Sequence, residues 1–222
     1  RELKDGLRPL HKGEVISPCD GYLSQLDTLS SQGQIIQAKG LQYSPQELLF
    51  AGEKKDHNFS PFLTATIYLA PHNYHRVHSP INGELLSVCS IPGKLWPVNR
   101  QLVPYIPNLF CENERVVFEL KHQELGKLYL VMVGALNVGR ISSKFSSFNP
   151  TNDFPQRKKE ISPRHEKLSP PAVIKKGEEL GTFMLGSTVI LVFDKSFEGL
   201  VSFEKTQDNL PIQLGASLLS KV

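Results

Sequence analysis

The stretch TFMLGSTVILVF, residues 182–193, decides how the chain is read. It is dominated by β-branched, aromatic and long aliphatic residues, and its apolar part, Met184–Phe193, has the length of a strand. Crossing a bilayer as a helix needs roughly 20 apolar residues, and neither this run nor Leu128–Leu136 approaches that. Taken as one strand, it puts Ser187 on the same face as Leu185, Val189, Leu191 and Phe193. Met184, Thr188, Ile190 and Val192 line the other face. Both faces are apolar, which predicts a strand buried on both sides with the Ser187 hydroxyl in a dry setting. Most serines so placed are small core residues bonded to backbone. Gly186 argues for more, because it removes the Cβ that would hinder approach to the preceding carbonyl and it tolerates a strained backbone.

Working outward, the same kind of run recurs at Phe62–Leu69, Glu84–Ile91, Arg115–Leu120 and Lys127–Val133, each bounded by turn residues. With 16 Gly and 16 Pro, long helices are not expected. One short helix is signalled by Ser44-Pro45-Gln46-Glu47, an N-cap Ser, an N1 Pro and an N3 Glu ahead of Leu48, Leu49 and Phe50. A helical turn is expected to open at Pro71 and to end by Ser79, before Pro80. Residues 142–176 lack periodicity and read as a long, mobile surface loop. Within it, Arg157–Lys176 carries Arg157, Lys158, Lys159, Arg164, Lys167, Lys175 and Lys176 against only Glu160 and Glu166. That surplus suits either a solvated loop or a patch leaning on anionic lipid headgroups. The expected fold is mainly β (α+β), a sandwich or barrel-like single domain over 1–222 with a few short helices.

Composition narrows the function. Of 222 residues, 40% are apolar and 21% charged, which excludes wholesale disorder. A net charge of +3 gives no electrostatic case for a nucleic-acid partner. Cys19, Cys89 and Cys111 form no CxxC pair, so neither a metal nor a disulfide framework is expected, and a reducing compartment is. The start, RELKDGLRPL, is charged where a secretory signal would be apolar, and it does not begin with Met, so an upstream segment is expected.

Two further clusters carry chemistry. Ser17-Pro18-Cys19-Asp20-Gly21 reads either as a hairpin turn or as a carboxylate held at a strand end. Pro71-His72-Asn73-Tyr74-His75-Arg76-Val77-His78 places three of the seven histidines within one short span. Their i, i+3, i+6 spacing lacks the Glu and the i, i+4 pairing of metalloprotease helices, so no metal is assigned. His75 and His78 suit acid–base work, since imidazole exchanges protons near neutral pH. Asp20, His78 and Ser187 are the parts of a hydroxyl-activating triad, which spacing alone does not assemble.

Together these segments resemble the phosphatidylserine decarboxylase proenzymes. RELKDGLRPL, SPCDGYLSQ, QAKGLQYSPQELL, YLAPHNYHRVHSP, PINGEL, PGKLWPVN, PNLFCENERV, VGALNVG and KKGEELGTFMLGSTVILVF carry the match in order along nearly the whole chain. Arg140 departs from the small residue expected after VGALNVG. The resemblance implies self-cleavage between Gly186 and Ser187, with Asp20 orienting His78 and His78 deprotonating Ser187. Ser187 would become a covalent pyruvoyl group, leaving chains 1–186 and 187–222 together as a heterodimer, with higher homo-oligomers open. The pyruvoyl would bind the amine of phosphatidylserine as a Schiff base, release CO₂ and yield phosphatidylethanolamine, with His75 supplying a proton. It further implies peripheral membrane association, at the cytoplasmic face of a bacterial inner membrane. Trp96, beside Lys94 and near Asn99, fits a substrate- or membrane-facing segment, or equally ordinary core. Two other readings stay open: a non-catalytic carrier or phosphocarrier module built on SPCDG and SPING, and a His-cluster metallohydrolase.

Overall fold

The structure is a computed structural model that describes residues 3–4, 6–52, 58–99, 101–136, 140–147, 151, 162–184, 187–202 and 209–221. Short β-branched runs separated by Gly, Pro and Asn fold into antiparallel strands, as the pattern requires. In chain order these are β1 (Val15–Ile16), β2 (Gly21–Thr28), β3 (Ile35–Ala38), β4 (Leu41–Tyr43), β5 (Pro61–Tyr68), β6 (Arg76–His78), β7 (Gly83–Ile91) and β8 (Arg115–His122). They continue with β9 (Lys127–Val133), β10 (Ile141–Ser142), β11 (Arg164–Ile174), β12 (Glu179–Phe183), β13 (Thr188–Asp194), β14 (Val201–Ser202), β15 (Leu210–Ile212) and β16 (Ser217–Ser220). Helices α1 (Pro45–Phe50) and α2 (Leu109–Glu112) are short.

Eight strands form one sheet in the order β11-β7-β8-β9-β13-β5-β2-β15. Smaller sheets, β1-β16-β14 and β10-β12-β6, and the hairpin β3-β4 complete the described fold. The expectation of a mainly β fold holds, but the large sheet is open among the described residues, with β11 and β15 at its edges, so there is no closed barrel. Its most buried strand is β13, flanked by β5 and β9, with Val189 through Phe193 wholly inaccessible. Such a strand reads apolar on both faces because both are covered.

Three expectations change. The run 182–193 is two strands, not one: β12 belongs to the sheet with β6 and β10, and β13 to the large sheet. The chain changes sheets between them, so Met184 is 62% exposed and does not line a strand face, and Ser187 stands just ahead of β13. Leu185 and Gly186 lie outside the described residues. Second, the expected loop 142–176 contains the eleven-residue β11, paired along β7 at the sheet edge. Its exposed side chains and Pro170-Pro171, which an edge tolerates where the ladder shifts register, conceal the strand from pattern reading. Arg157, Lys158, Lys159 and Glu160 of its basic segment lie outside the described residues. Third, Pro71 opens a tight turn instead of a helix: Asn73 N–H donates to the Ala70 carbonyl at 2.9 Å, and Asn73 Oδ1 accepts from Ala70 N–H at 2.8 Å.

Helix α1 starts as its sequence predicts, with Ser44 Oγ accepting from Gln46 N–H. Its far end is closed by a side chain the sequence did not mark. Arg115 is 1% exposed and donates Nε to Leu48 O at 2.7 Å, Nη2 to Glu47 O at 2.8 Å and Nη1 to Asn113 O at 3.0 Å. Nη1 also reaches Cys111 O, so one guanidinium satisfies carbonyls at the C-terminal ends of both helices. Burial lowers its pKa, opposed by the charge field of Cys111 and Glu47. Arg115→Met should therefore orphan several buried carbonyls and destabilise the fold by about 3 kcal/mol, read as a lower urea midpoint. An unchanged midpoint would show that the guanidinium contributes nothing net.

Candidate active site

Ser187 is fixed before β13 begins. Its N–H donates to Leu69 O at 3.0 Å, and its carbonyl accepts from Leu69 N–H at 2.7 Å, extending the β5–β13 pairing by one residue. The side chain is wholly inaccessible, and Oγ donates to the carbonyl of Val133 at the end of β9. The dry setting expected for this hydroxyl is therefore present, although its partner is backbone.

The histidine segment reaches the same region through β6. The ladder sets His78 opposite Glu179 and Arg76 opposite Thr182, and Phe183 N–H donates to the His75 carbonyl at 3.0 Å. His78 N–H donates to Pro18 O at 2.8 Å, which ties the strand to the SPCDG segment. That segment is not a hairpin, because β1 pairs with β16 while β2 pairs with β5 and β15. Asp20 is accordingly a carboxylate held rigidly at a strand start, 6% exposed.

The hydrogen bonds of His78 define its protonation. Nδ1 lies 2.8 Å from Gly177 O, and a carbonyl only accepts, so Nδ1 carries the proton. Nε2 then presents its lone pair and accepts from the Tyr74 hydroxyl at 3.1 Å, with the Tyr74 ring stacked on the imidazole at 5.6 Å. Burial pushes the His78 pKa down, against the Gly177 bond and the field of Glu179, so the ring is neutral at pH 7. Such an imidazole is competent as a base. His75 also has its pKa lowered, chiefly by burial, and its Nε2 is buried without a hydrogen-bond partner among the described residues.

Asp20 has other partners. Arg8 donates Nε to Oδ1 at 2.9 Å and Nη2 to Oδ2 at 2.6 Å, and Leu214 N–H donates to Oδ1 at 2.9 Å. Backbone pairing thus draws the three segments together, but among the described residues Asp20, His78 and Ser187 are each hydrogen-bonded elsewhere and not to one another. Gly186, the other side of the expected scissile bond, lies outside the described residues. Among those described, no group of three or more His, Cys, Asp or Glu side chains is arranged to hold a metal ion.

Trp96 is 44% exposed, which removes the core reading, and Lys94 Nζ sits 5.9 Å from the ring centroid. Asn99 caps a turn, its Oδ1 accepting from Leu102 N–H at 3.1 Å. A cavity of about 940 Å³ opens nearby, lined by Tyr22, Lys39, Tyr68, Val98, Tyr105 and Thr188 among others, so its wall includes the neighbour of Ser187. Lys39 Nζ lies 5.0 Å from the Tyr105 ring centroid, and Tyr105 is 69% exposed. Arg140 holds the approach to the crossing through its carbonyl, which accepts from Met184 N–H at 3.2 Å. Sequence reasoning missed Arg8, Tyr74 and Gly177. Only Tyr74, four residues before His78, stood within a motif that had been read for chemistry.

The family described as phosphatidylserine decarboxylase matches residues 1–220. A phosphatidylserine decarboxylase proenzyme of Brevibacillus brevis is 38% identical, over all of this chain and 76% of its own length. Proteins of the same name from Anaeromyxobacter sp. and Azotobacter vinelandii are 40% and 42% identical over 87% of this chain, and 67% and 66% of their own lengths. Matched by the family over residues 1–220 and 38% identical to a relative along its whole length, the chain belongs to the phosphatidylserine decarboxylase family.

Proposed function

We propose that the chain is a proenzyme that cleaves itself between Gly186 and Ser187 and then converts phosphatidylserine to phosphatidylethanolamine and CO₂ at a membrane surface. The observation that carries this reading is the placement of Ser187: an inaccessible hydroxyl at a crossing between two sheets, in a chain whose relatives are named as proenzymes. A carrier module is not favoured, since it would need a modifiable Lys at a hairpin tip or a phosphorylatable His, and no use follows for a buried serine at such a crossing.

In the first stage His78 Nε2 takes the Ser187 hydroxyl proton once each has released its present partner, Tyr74 and Val133. A serine hydroxyl is a weak nucleophile until a base removes that proton. Oγ then bonds the Gly186 carbonyl carbon, the peptide C–N bond breaks, and the nitrogen takes up a proton, leaving an ester. Loss of the Ser187 Cα proton and cleavage of the ester C–O bond free the Gly186 carboxylate. Addition of water and departure of ammonia turn residue 187 into a pyruvoyl group. Chains 1–186 and 187–222 then stay associated.

The residues present fit that group: Ser187 is wholly enclosed and the cavity wall reaches Thr188, while His75, whose carbonyl is bonded to Phe183 at the end of β12, has a buried Nε2 with no hydrogen-bond partner among the described residues. Once formed, the pyruvoyl supplies a carbonyl that captures the substrate amine and accepts the electron pair left when CO₂ departs. We assign His75 Nε2 to hold the proton that returns to the substrate carbon. Trp96, Leu102 and Tyr105 are exposed apolar side chains on the segment bordering the cavity, with Lys94 and Lys39 over two of the rings. Aromatic and cationic groups so paired suit a headgroup interface, which supports a peripheral contact there. Among the described residues no helix is long and apolar enough to cross a membrane.

A denaturing gel of folded wild-type protein should show a long and a short fragment, with Ser187→Ala and His78→Ala remaining as one band. An uncleaved wild type would contradict the proposal. His75→Ala should still cleave yet lose about 100-fold in decarboxylation; failure to cleave would place His75 in the first stage instead. Trp96→Ala should bind phosphatidylserine vesicles more weakly while retaining turnover on a short-chain soluble substrate, and unchanged vesicle binding would remove Trp96 from the interface.

A further inference from the structure

The residue that grips Asp20 comes from the start of the chain. Arg8 and Asp20 form a two-bond ion pair whose side chains are only 22% and 8% exposed, so it is weakly screened. The segment bearing Arg8 is pressed onto the site. His11 N–H donates to Gly215 O at 2.9 Å. A Cβ on Gly215 would fall 2.6 Å from the Pro9 carbonyl oxygen, and one on Gly177 would fall 2.7 Å from Leu10 Cδ1. Gly177 is the residue whose carbonyl fixes His78. Residues 8–11 therefore touch both the carboxylate near His78 and the acceptor that orients it.

The charges around His78 are balanced in pairs. On β12, Glu179 is bonded to Arg76 Nη1 of β6 at 2.8 Å and to Thr182 Oγ1 at 2.9 Å. On the other side Asp20 is bonded to Arg8. Tyr74 meets Nε2, and Lys176 turns away to the Gly13 carbonyl at 2.6 Å. Asp20, Glu179 and Arg76 all act on His78 through space. Asp20 lies two residues beyond Pro18, whose carbonyl accepts from His78 N–H at 2.8 Å, and without Arg8 its uncompensated field would favour the protonated imidazole. A base that already holds a proton cannot take one from Ser187.

We propose that Arg8 is a positioning residue for self-cleavage: by neutralising Asp20 and seating residues 8–11 on Gly177, it keeps His78 bonded to the Gly177 carbonyl as a neutral base. This rests on the assignment of Ser187 as the cleavage nucleophile. It can be read without turnover. In uncleavable Ser187→Ala protein, the His78 titration followed by NMR should move upward by roughly half a pH unit or more in Arg8→Gln. Asp20→Asn should move it downward, and the Arg8→Gln/Asp20→Asn double variant should return it towards the starting value. In the cleaving chain, Arg8→Gln should shift the acid limb of the cleavage rate upward by the same amount, while Arg8→Lys, which keeps the charge, should leave the midpoint in place. A titration unmoved in both single variants would overturn the proposal, and so would cleavage that slows equally at every pH. Should Arg8→Gln not fold, the Asp20→Asn shift decides alone. Absence of cleavage in the wild type would instead sink the underlying assignment.

Discussion

The structure depends on β13 being buried on both faces. A strand enclosed between β5 and β9 and covered above and below cannot pass directly into the sheet of β6 and β10, so the chain must cross over the few residues after Phe183. Ser187 is buried just ahead of β13, locked by two hydrogen bonds to Leu69. Three residues earlier, just past the end of β12, Met184 is open to solvent. The hydroxyl is thus fixed by the large sheet at the point where the chain enters it. In the proposed reaction a break at this place leaves β12 held by β6 and β10, and β13 held by β5 and β9, so both fragments keep their partners.

Electrostatics around the site follows a second constraint, that charge brought near a buried imidazole must be balanced. Arg76 offsets Glu179, and Arg8 offsets Asp20. His78 Nδ1–H donates a hydrogen bond to a carbonyl, which sets the tautomer without drawing a full charge onto the ring. A carboxylate in that position would stabilise the imidazolium more strongly, which helps after proton transfer and hinders before it. Asp20 is placed to act by its field while Arg8 limits how strongly it does so.

Much of this was legible in the sequence. The strand runs and the α1 cap could be read because turn residues and N-cap chemistry act locally. The split of 182–193 could not, since a continuous apolar run looks the same whether it stays in one sheet or changes sheets. Strand β11 was hidden because its exposed side chains and proline pair carry no burial signal. At the site, Asp20, His75, His78 and Ser187 were picked out by chemistry and by the likeness of their segments to a family. Their immediate partners were not. The Gly177 contact is made by a backbone carbonyl 99 residues from His78, and the Arg8 contact crosses 12 residues from a segment read only for its charge and its likeness to a family, so neither leaves a trace in spacing.

The most direct test is the intact mass of the short fragment from wild-type protein. The account predicts a species running from residue 187 to the C-terminus, lighter by one ammonia than the encoded peptide and without a free amino terminus. A fragment beginning with an unmodified serine, or a break at any other bond, would contradict it.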